Sequence, residues 1–424
     1  MYDAIVIGAG LVGLGVVNAL QEADPQRRIL ILEKERGPAA HQSGHNSNVV
    51  HSGIYYTPGS LKAQLAKQGN RSMFAFCREH DLYHDQCGKV IVATQLNELD
   101  RLENIYQRGL QNGLQVTRLS QAQLREREPH VNGLEALLVP DAGIVNYAEV
   151  AAKLAEIIVR RGGEIAYGHQ VEALREHATG VTVTAAGDTV EGRLLINCAG
   201  LFSDRIAKLA GYETGMKIVP FRGEYYVLDD AKNHLVNHLI YPVPNPDFPF
   251  LGVHFTRMYN GKRDVGPNAV LAFKREGYRK CDFSLRDLSE VLGYRGFWKI
   301  AGNYLGEGLA EMRRSLSRRR FAENARRLIP ALQEQDIRPG RRARSGVDRR
   351  RQAGGRLPFR AGETLAARVQ CPFSGGDCLA GDRPRDRAPP PVRFLTPAEA
   401  TAPVASAALD GHAAVHQHRG AGDE

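Results

Sequence analysis

The sequence predicts an α/β protein in which a discontinuous domain with a parallel sheet is interleaved with a domain built on an antiparallel sheet. A strand, a glycine-rich turn, a helix and a second strand follow one another within residues 3–33, the order of a βαβ unit. Apolar and polar residues alternate between 217 and 274, as in strands with one buried face. Beyond Pro339 this periodicity weakens while Gly, Pro and Arg become frequent, so the C-terminal region is expected to be disordered or otherwise aberrant.

Each element follows from its hydrophobic pattern. Continuous apolar runs such as Ile29–Glu33 are typical of buried parallel strands, and a spacing of three or four residues indicates helices. The predicted helices are Leu11–Ala23, Ser60–His80, Asn97–Gly113, Tyr147–Gly162 and a helical region over Leu285–Leu332. The predicted strands are Asp3–Ile7, Ile29–Glu33, Lys89–Ala93, Glu164–Tyr167, Gln170–Glu176, Gly180–Ala185, Asp188–Glu191 and Leu194–Asn197, followed by the sheet within 217–274.

Composition narrows the class of protein. The chain has 424 residues, 43% hydrophobic and 24% charged, which suits a globular protein of two or three domains. No apolar run is long enough to cross a bilayer, and the N-terminus lacks the pattern of a secretory signal. The six cysteines are scattered, so we expect no metal site and a reducing cytoplasm. The net charge is +9, but the Arg-rich end has no Lys, Tyr or Trp and its arginines follow no helical period, so no nucleic acid partner is expected.

The strongest local motif is a G-x-G-x-x-G formed by Gly8, Gly10 and Gly13, placed between the first strand and the first helix. The glycines permit a tight turn, a close approach of backbone to a pyrophosphate, and close packing of helix on strand. The helix N-terminus also offers unpaired N–H groups. Glu33 follows 20 residues after Gly13, where a carboxylate accepts hydrogen bonds from a ribose diol. An acidic residue here argues against a 2′-phosphate and leaves FAD or NAD.

The segment after the second strand favours FAD. An NAD dehydrogenase would continue with regular strand and helix alternation, whereas Ala39–Tyr56 is an irregular loop rich in His and Ser. Such a loop is placed to run under the middle of an extended cofactor. A second turn, Asn197–Gly200, closes another apolar strand. These features predict a Rossmann-like FAD-binding domain.

Several blocks of sequence, in order, make the prediction more specific. The chain resembles the glycine-oxidase/D-amino-acid-oxidase superfamily of FAD enzymes and, within it, most resembles the L-2-hydroxyglutarate oxidase/dehydrogenase family. The resemblance extends from residue 1 to about 339 and is carried by Ser43–Ala63, Asp141–Val150, Ile196–Asp204, Ile218–Tyr226, Leu251–Arg257 and Gly266–Tyr278. It implies an FAD-binding domain at 1–85 and 145–215, a substrate domain at 86–144 and 216–335, and an aberrant tail at 340–424.

The resemblance implies oxidation of L-2-hydroxyglutarate to 2-oxoglutarate, with hydride transfer from C2 to the flavin while a base removes the hydroxyl proton. His254 and His51 are the candidate catalytic residues, because imidazole titrates near neutral pH. The dicarboxylate needs cationic and polar partners, for which Arg222, Tyr225, Thr256 and Arg257 are candidates. The remaining candidate FAD contacts, besides the glycine motif and Glu33, are Ser43, Asn46, Ser47, Val171, Ala199 and Gly200.

The sequence leaves two pairs of alternatives open, one for the electron acceptor and one for contact with a membrane. The electron acceptor is either oxygen or a membrane quinone. The Arg-rich stretch Met312–Arg327 is either a solvated helix face or a contact with anionic lipid. The second interpretation predicts a cytoplasmic protein peripherally bound to the inner face of the membrane.

The tail departs from the family pattern. From Arg341 onward the chain has 14 Arg, no Lys and 9 acidic residues, and the expected segment resembling NAPSPAAT is missing. One hypothesis is a slipped coding frame near Pro339, because back-translation in a shifted phase recovers three family segments in order. The alternatives for function are therefore a related flavin amine or amino-acid oxidase, or an inactive frame-disrupted product.

Overall fold

The computed structural model describes residues 1–347 except 214, 216, 246–251 and 304. The helices are α1 Leu11–Ala23, α2 Leu61–Glu79, α3 Leu99–Gln111, α4 Gln121–Arg127, α5 Tyr147–Arg160, α6 Ser203–Leu209, α7 Leu285–Leu292, α8 Arg295–Asn303, α9 Leu305–Leu316 and α10 Arg318–Ala325. The strands are β1 Ala4–Ile7, β2 Ile29–Glu33, β3 Val49–Val50, β4 His84–Asp85, β5 Lys89–Ala93, β6 Thr117–Ser120, β7 Glu135–Val139, β8 Gly143–Val145, β9 Glu164–Tyr167, β10 Val171–His177, β11 Gly180–Ala185, β12 Asp188–Gly192, β13 Leu195–Asn197, β14 Val219–Leu228, β15 Leu239–Pro242, β16 His254–Arg257, β17 Arg263–Leu271 and β18 Ile337–Val347.

The predicted parallel sheet is present, with strand order β13-β1-β2-β9. Alternate residues of β1 point to opposite faces, as strand geometry requires. Ala4 and Val6 join the core beneath α1 and α5, whereas Ile5 and Ile7 pack against the separate sheet β10-β11-β12. The α/β prediction is therefore confirmed, and the parallel sheet is covered on both faces.

The second large sheet has eight strands in the order β18-β14-β17-β16-β15-β5-β7-β6. It is mostly antiparallel, as predicted, although β15 runs parallel to β5. One face is apolar: Val90, Ile240 and Phe255 pack with Phe321 of α10 in a single core. The opposite face carries the residues that directly precede or follow these along each strand, and several of them are polar.

A small sheet, β3-β8-β4, ties the polar loop 39–56 into the fold. Val49 pairs with Ile144 and Val50 with Gly143. Because β3 immediately precedes His51, this pairing fixes where the end of the loop emerges beside the large sheet.

The C-terminal prediction needs a correction. Residues after Pro339 were expected to lack regular structure, yet β18 continues to Val347 and pairs with β14 along its length, for example Arg222 with Arg344. Strand pairing with a neighbouring edge here overrides a local sequence rich in Gly and Arg. The rest of the predicted tail, and with it the segment of the frame-slip hypothesis beyond Val347, lies outside the described residues. Within the described part of the chain, no helix combines the length and apolar character needed to span a bilayer.

Candidate active site

The glycine motif forms a turn in which no glycine side chain covers the backbone. Gly8 has φ +106°, and a Cβ there would lie 2.5 Å from the carbonyl oxygen of Cys198. A Cβ on Gly13 would overlap the carbonyl oxygen of Gly8, while Gly10 is the N-cap of α1. Only glycine fits the first and third positions, so the turn and the helix N-terminus form a cradle suited to a pyrophosphate.

Glu33 is held against this cradle. Its buried carboxylate accepts hydrogen bonds from the backbone N–H of Ala9, at 2.8 Å, and of Glu35, at 2.9 Å. Glu33 is the last residue of β2, and these two bonds hold its carboxylate against the glycine turn. An ionised carboxylate has acceptor capacity beyond two bonds, so it can also take ribose hydroxyl groups.

Ser43 and Asn46 shape the polar loop over the helix N-terminus. The Ser43 Oγ accepts the N–H of Leu11 at 3.0 Å, and Asn46 donates to the carbonyl oxygens of Gln42 and Ser43. Ser47 is buried next to them. Ser43 therefore lies at the N-terminus of α1, and Asn46 is bonded to the segment that carries Ser43.

The remaining predicted cofactor contacts lie in two different places, two of them beside the glycine turn and one in a hydrophobic core. Ala199 and Gly200 lie beside Gly8, since the Cα of Ala199 is 3.4 Å from the Cβ position of Gly8, and Gly200 has φ +54°. Val171 is buried among Ile5, Leu30 and other residues of the core behind the parallel sheet. The Val171 side chain is therefore part of this core.

A cluster of charged groups lies beyond β2. The ligand atoms of Glu35, His41 and Glu276 converge as a metal site would require. The Lys34 ammonium, however, contacts all three, with Nζ 2.7 Å from Glu276 and 2.9 Å from His41. Its hydrogen bond to Glu35, together with that from His41, lowers the pKa of the Glu35 carboxyl to about 2. The cluster is thus an ion-pair network with a lysine at its centre.

The polar face of the large sheet brings together His254, Tyr241 and His51. The His254 ring stacks on the Tyr241 ring with centroids 4.0 Å apart, and the His51 ring meets Tyr241 edge-on at 6.3 Å. The Nδ1 of His254 lies 3.0 Å from the carbonyl oxygen of Gly252. Because a carbonyl only accepts, Nδ1 carries the proton and Nε2 is the basic nitrogen of the neutral ring.

His51 is held neutral by its surroundings. Burial, followed by the proximity of the titratable groups of Lys89 and His254, lowers the pKa of the His51 imidazole to about 3. The two predicted catalytic histidines therefore lie close enough to interact, but they differ in environment. His51 cannot act as a cation near neutral pH.

Lys89, which sequence reasoning missed, lies on the same face. Its ammonium is fully buried, 4.5 Å from the ring centroid of Tyr55 and 5.2 Å from that of Tyr241. Burial lowers the pKa of its amine to about 7. The available signal was a lysine at the head of the otherwise apolar strand KVIVA, a strand type that is buried on both faces.

The four predicted substrate contacts are separated by the structure. Thr256 is fully buried on the face of His254, and Tyr225 lies edge-on to the His254 ring at 6.5 Å. Arg222 is also buried, but its guanidinium donates to Glu224 at 2.8 and 3.0 Å and to a backbone carbonyl. Arg257 points the other way and pairs with Asp85 at 3.0 Å, because odd and even strand positions face opposite sides.

Known structures share this architecture. The chain is similar to L-α-glycerophosphate oxidase from Mycoplasma pneumoniae with FAD bound, with a TM-score of 0.68 and 18% identity over 97% of this chain and 94% of that one. It is also similar to glycine oxidase from Geobacillus kaustophilus, with a TM-score of 0.65 and 16% identity over 99% and 96% of the two chains. At such identities the likeness defines the fold alone. That fold, together with the glycine cradle, is the arrangement of a dinucleotide-binding protein.

Sequence comparisons define the family. The model of the FAD dependent oxidoreductase family matches residues 3–368. L-2-hydroxyglutarate dehydrogenase from Escherichia coli strain K12 is 48% identical over 340 residues, covering 80% of this chain and 81% of that protein. The human mitochondrial enzyme of the same name is 40% identical over 349 residues, covering 79% and 75%. The chain belongs to the FAD-dependent oxidoreductases and, within them, to the L-2-hydroxyglutarate dehydrogenase family.

The described residues fit the FAD that this family uses. The cradle of Gly8, Gly10 and Gly13 leaves room that a Cβ would fill, and Glu33 is fixed beside it. At the other end, Lys89 and Thr256 bury polar atoms that have no hydrogen-bond partner among the described residues. A nucleotide-binding end and a polar reaction end are thus both present, as an extended flavin cofactor with a polar substrate requires.

Proposed function

We propose that this chain oxidises L-2-hydroxyglutarate to 2-oxoglutarate. The observation that carries the proposal is the pairing of an FAD cradle with a buried, basic imidazole nitrogen, in a chain 48% identical to a protein named for this reaction. FAD, when bound, supplies the acceptor for the C2 hydride of the substrate. The protein's part is to hold the substrate, exclude water and take the hydroxyl proton.

His254 is the proposed base. Its Nδ1 proton is fixed on the Gly252 carbonyl, so Nε2 can accept the C2 hydroxyl proton of the substrate. The Tyr241 ring, stacked at 4.0 Å, holds the imidazole plane in place. His51 stays neutral and lies beside the same tyrosine, where we propose a flavin-side role for it.

Tyr225 and Thr256 remain proposed substrate contacts, because both are buried on or beside the face of His254. Arg222 and Arg257 are not proposed as substrate contacts. Their guanidinium groups are already bonded to Glu224 and Asp85, and a carboxylate would have to displace these partners. We propose that Arg222 instead supports this end of the sheet.

The experiment compares two histidine variants of the FAD-loaded protein. His254→Gln should lower kcat by about 10²–10⁴-fold while FAD binding is retained, because a general base contributes rate enhancements of that size. His234→Gln is the matched control: His234 also bonds a backbone carbonyl, that of Ala231, but is exposed and outside the site. Product analysis for 2-oxoglutarate rather than ammonia separates this reaction from that of an amine oxidase. Unchanged turnover in His254→Gln would refute the role of the base.

We further propose that helices α7–α10 contact an anionic membrane surface and that electrons pass to a membrane quinone rather than to oxygen. Large apolar side chains are exposed there, with Trp298 58% and Leu316 81% accessible, beside the exposed cations Arg313 and Arg319. Exposed apolar groups amid basic residues are typical of helices that lie on anionic lipid. This would place the protein on the inner face of the membrane, in the cytoplasm.

Co-sedimentation tests the membrane proposal. The protein should bind vesicles that contain phosphatidylglycerol, and the Trp298→Ser/Leu316→Ser double variant should bind them less. Vesicles of phosphatidylcholine alone are the control for charge. Equal binding by the double variant, or faster reoxidation by oxygen than by a soluble quinone analogue, would contradict the proposal.

A further inference from the structure

Lys89 occupies an unusual position for a cation. It is the first residue of β5, its side chain is 0% exposed, and it lies on the same face of the sheet as Tyr241 and His254. Burial of an ammonium removes its hydration, so the group either loses its proton or is compensated by an anion or by several hydrogen bonds. The question is what compensates Lys89.

Two other buried cations show how the charge of a buried side chain is compensated in this protein. Among the described residues three cationic side chains are buried, namely Lys89, Arg222 and Arg275. Arg222 pairs with Glu224, and Arg275 pairs with Asp204. Lys89 has neither a carboxylate nor any hydrogen-bond acceptor among the described residues. It is therefore the buried cation in this part of the chain that lacks a compensating anion.

Its neighbours are aromatic rings and imidazoles. The ammonium lies over Tyr55 at 4.5 Å and over Tyr241 at 5.2 Å, and it is near enough to His51 to oppose protonation of that ring. Cation–π contacts are weaker than the lost hydration of an ammonium. The rings therefore position the ammonium, but they do not replace an anionic partner.

Resting on the proposed function, we propose that the Lys89 ammonium forms the ion pair with the C5 carboxylate of L-2-hydroxyglutarate and thereby selects dicarboxylates over 2-hydroxy monocarboxylates. The placement on the sheet favours the distal carboxylate. β5 and β16 are separated by β15 alone, and the register offsets Lys89 from His254 by two residues along the strands, so their backbones are about 12 Å apart. With His254 at the C2 hydroxyl, Lys89 is placed for the far end of a five-carbon chain.

The proposed ion pair should be accompanied by the uptake of a proton when the ligand binds. Because the amine has a pKa of about 7 without an anion, it is mostly neutral at pH 8, and an ion pair requires it to be protonated. Binding of a dicarboxylate at pH 8 should therefore take up close to one proton. A five-carbon monocarboxylate should take up none.

Calorimetry of the FAD-loaded protein measures both effects. We would titrate 2-oxoglutarate and 2-oxopentanoate, which replaces the C5 carboxylate by a methyl group, at pH 8 in buffers of different ionisation enthalpy. Lys89→Met should weaken 2-oxoglutarate binding by about 100-fold and abolish proton uptake, while 2-oxopentanoate binding changes less than about threefold. Lys89→Arg should keep the preference for the dicarboxylate. Lys208→Met, at an exposed position of α6, is the matched control and should match the unsubstituted protein.

Several outcomes would overturn the proposal. Equal weakening of both ligands by Lys89→Met would show a structural role rather than a contact with the C5 carboxylate. A lower kcat with unchanged KM in both Lys89 variants would indicate a base. Lys89-dependent binding of 2-oxoglutarate without turnover of L-2-hydroxyglutarate would refute the proposed function alone, whereas normal turnover with no effect of Lys89→Met would refute this inference alone.

Discussion

The glycine cradle allows a prediction with an internal control. Gly13 and Gly15 both lie in α1, two residues apart, but their surroundings differ. A methyl group on Gly13 would overlap the carbonyl oxygen of Gly8, whereas a methyl group on Gly15 meets no atom within 4 Å. Gly13→Ala must therefore displace the turn that forms the cradle, and Gly15→Ala only adds a better helix former.

The magnitude follows from this overlap. The obstacle is backbone, which cannot rotate away as a side chain would, so relief requires a shift of the turn at Gly8. Overpacking of this kind costs about 1–3 kcal/mol, which the free protein relieves by displacing the turn and which FAD binding must restore together with the aligned N–H donors. A combined loss of about 3 kcal/mol corresponds to a rise of about 150-fold in the Kd for FAD. Gly15→Ala should leave the Kd unchanged and raise the free energy of unfolding by up to about 1 kcal/mol.

The assay is quenching of FAD fluorescence by apoprotein, combined with urea unfolding of each apoprotein. Gly13→Ala should remain folded, with weak FAD binding, and Gly15→Ala should bind as the unsubstituted protein does. Equal Kd values for the two variants would refute the assignment of the turn. Loss of folding in Gly13→Ala alone would leave Gly10→Ala, whose Cβ would lie 3.2 Å from the Ser43 Oγ, as the second variant to measure.

Three other predictions concern single buried groups. Glu33→Gln should raise the Kd for FAD about tenfold by the same fluorescence assay, because charge-assisted bonds are lost; an unchanged value contradicts this. Thr256→Val should raise the free energy of unfolding by about 1 kcal/mol in urea, since the buried hydroxyl lacks a partner among the described residues, and should raise KM; lower stability argues against it. Between pH 7 and 9 the unfolded chain holds a proton that folded Lys89 lacks, so stability should rise with pH, by up to about 1.4 kcal/mol per unit more than in Lys89→Met; parallel slopes refute this.

The nucleotide end of the molecule was predictable because its determinants are local. The turn at Gly8, the start of α1 at Leu11 and the carboxylate of Glu33 all lie within one βαβ unit, where spacing along the chain fixes spacing in space. The helix at Leu11–Ala23 and the strand at Ile29–Glu33 have the predicted bounds.

The reaction end was less predictable because it is assembled from strands distant in sequence. Nothing local tells that Lys89 and His254 share a face, since that depends on the pairing of β5 with β15 and of β15 with β16. Arg257 lies on the face opposite His254, paired with Asp85, because three positions along a strand reverse the face. β18 was missed because its partner β14 supplies the pairing that its Gly- and Arg-rich sequence does not predict.

Anaerobic titration of FAD-loaded protein with L-2-hydroxyglutarate tests the central claim most directly. One equivalent of substrate should bleach the visible absorption of one equivalent of flavin and yield one equivalent of 2-oxoglutarate. Flavin that stays oxidised in the presence of excess L-2-hydroxyglutarate would contradict it.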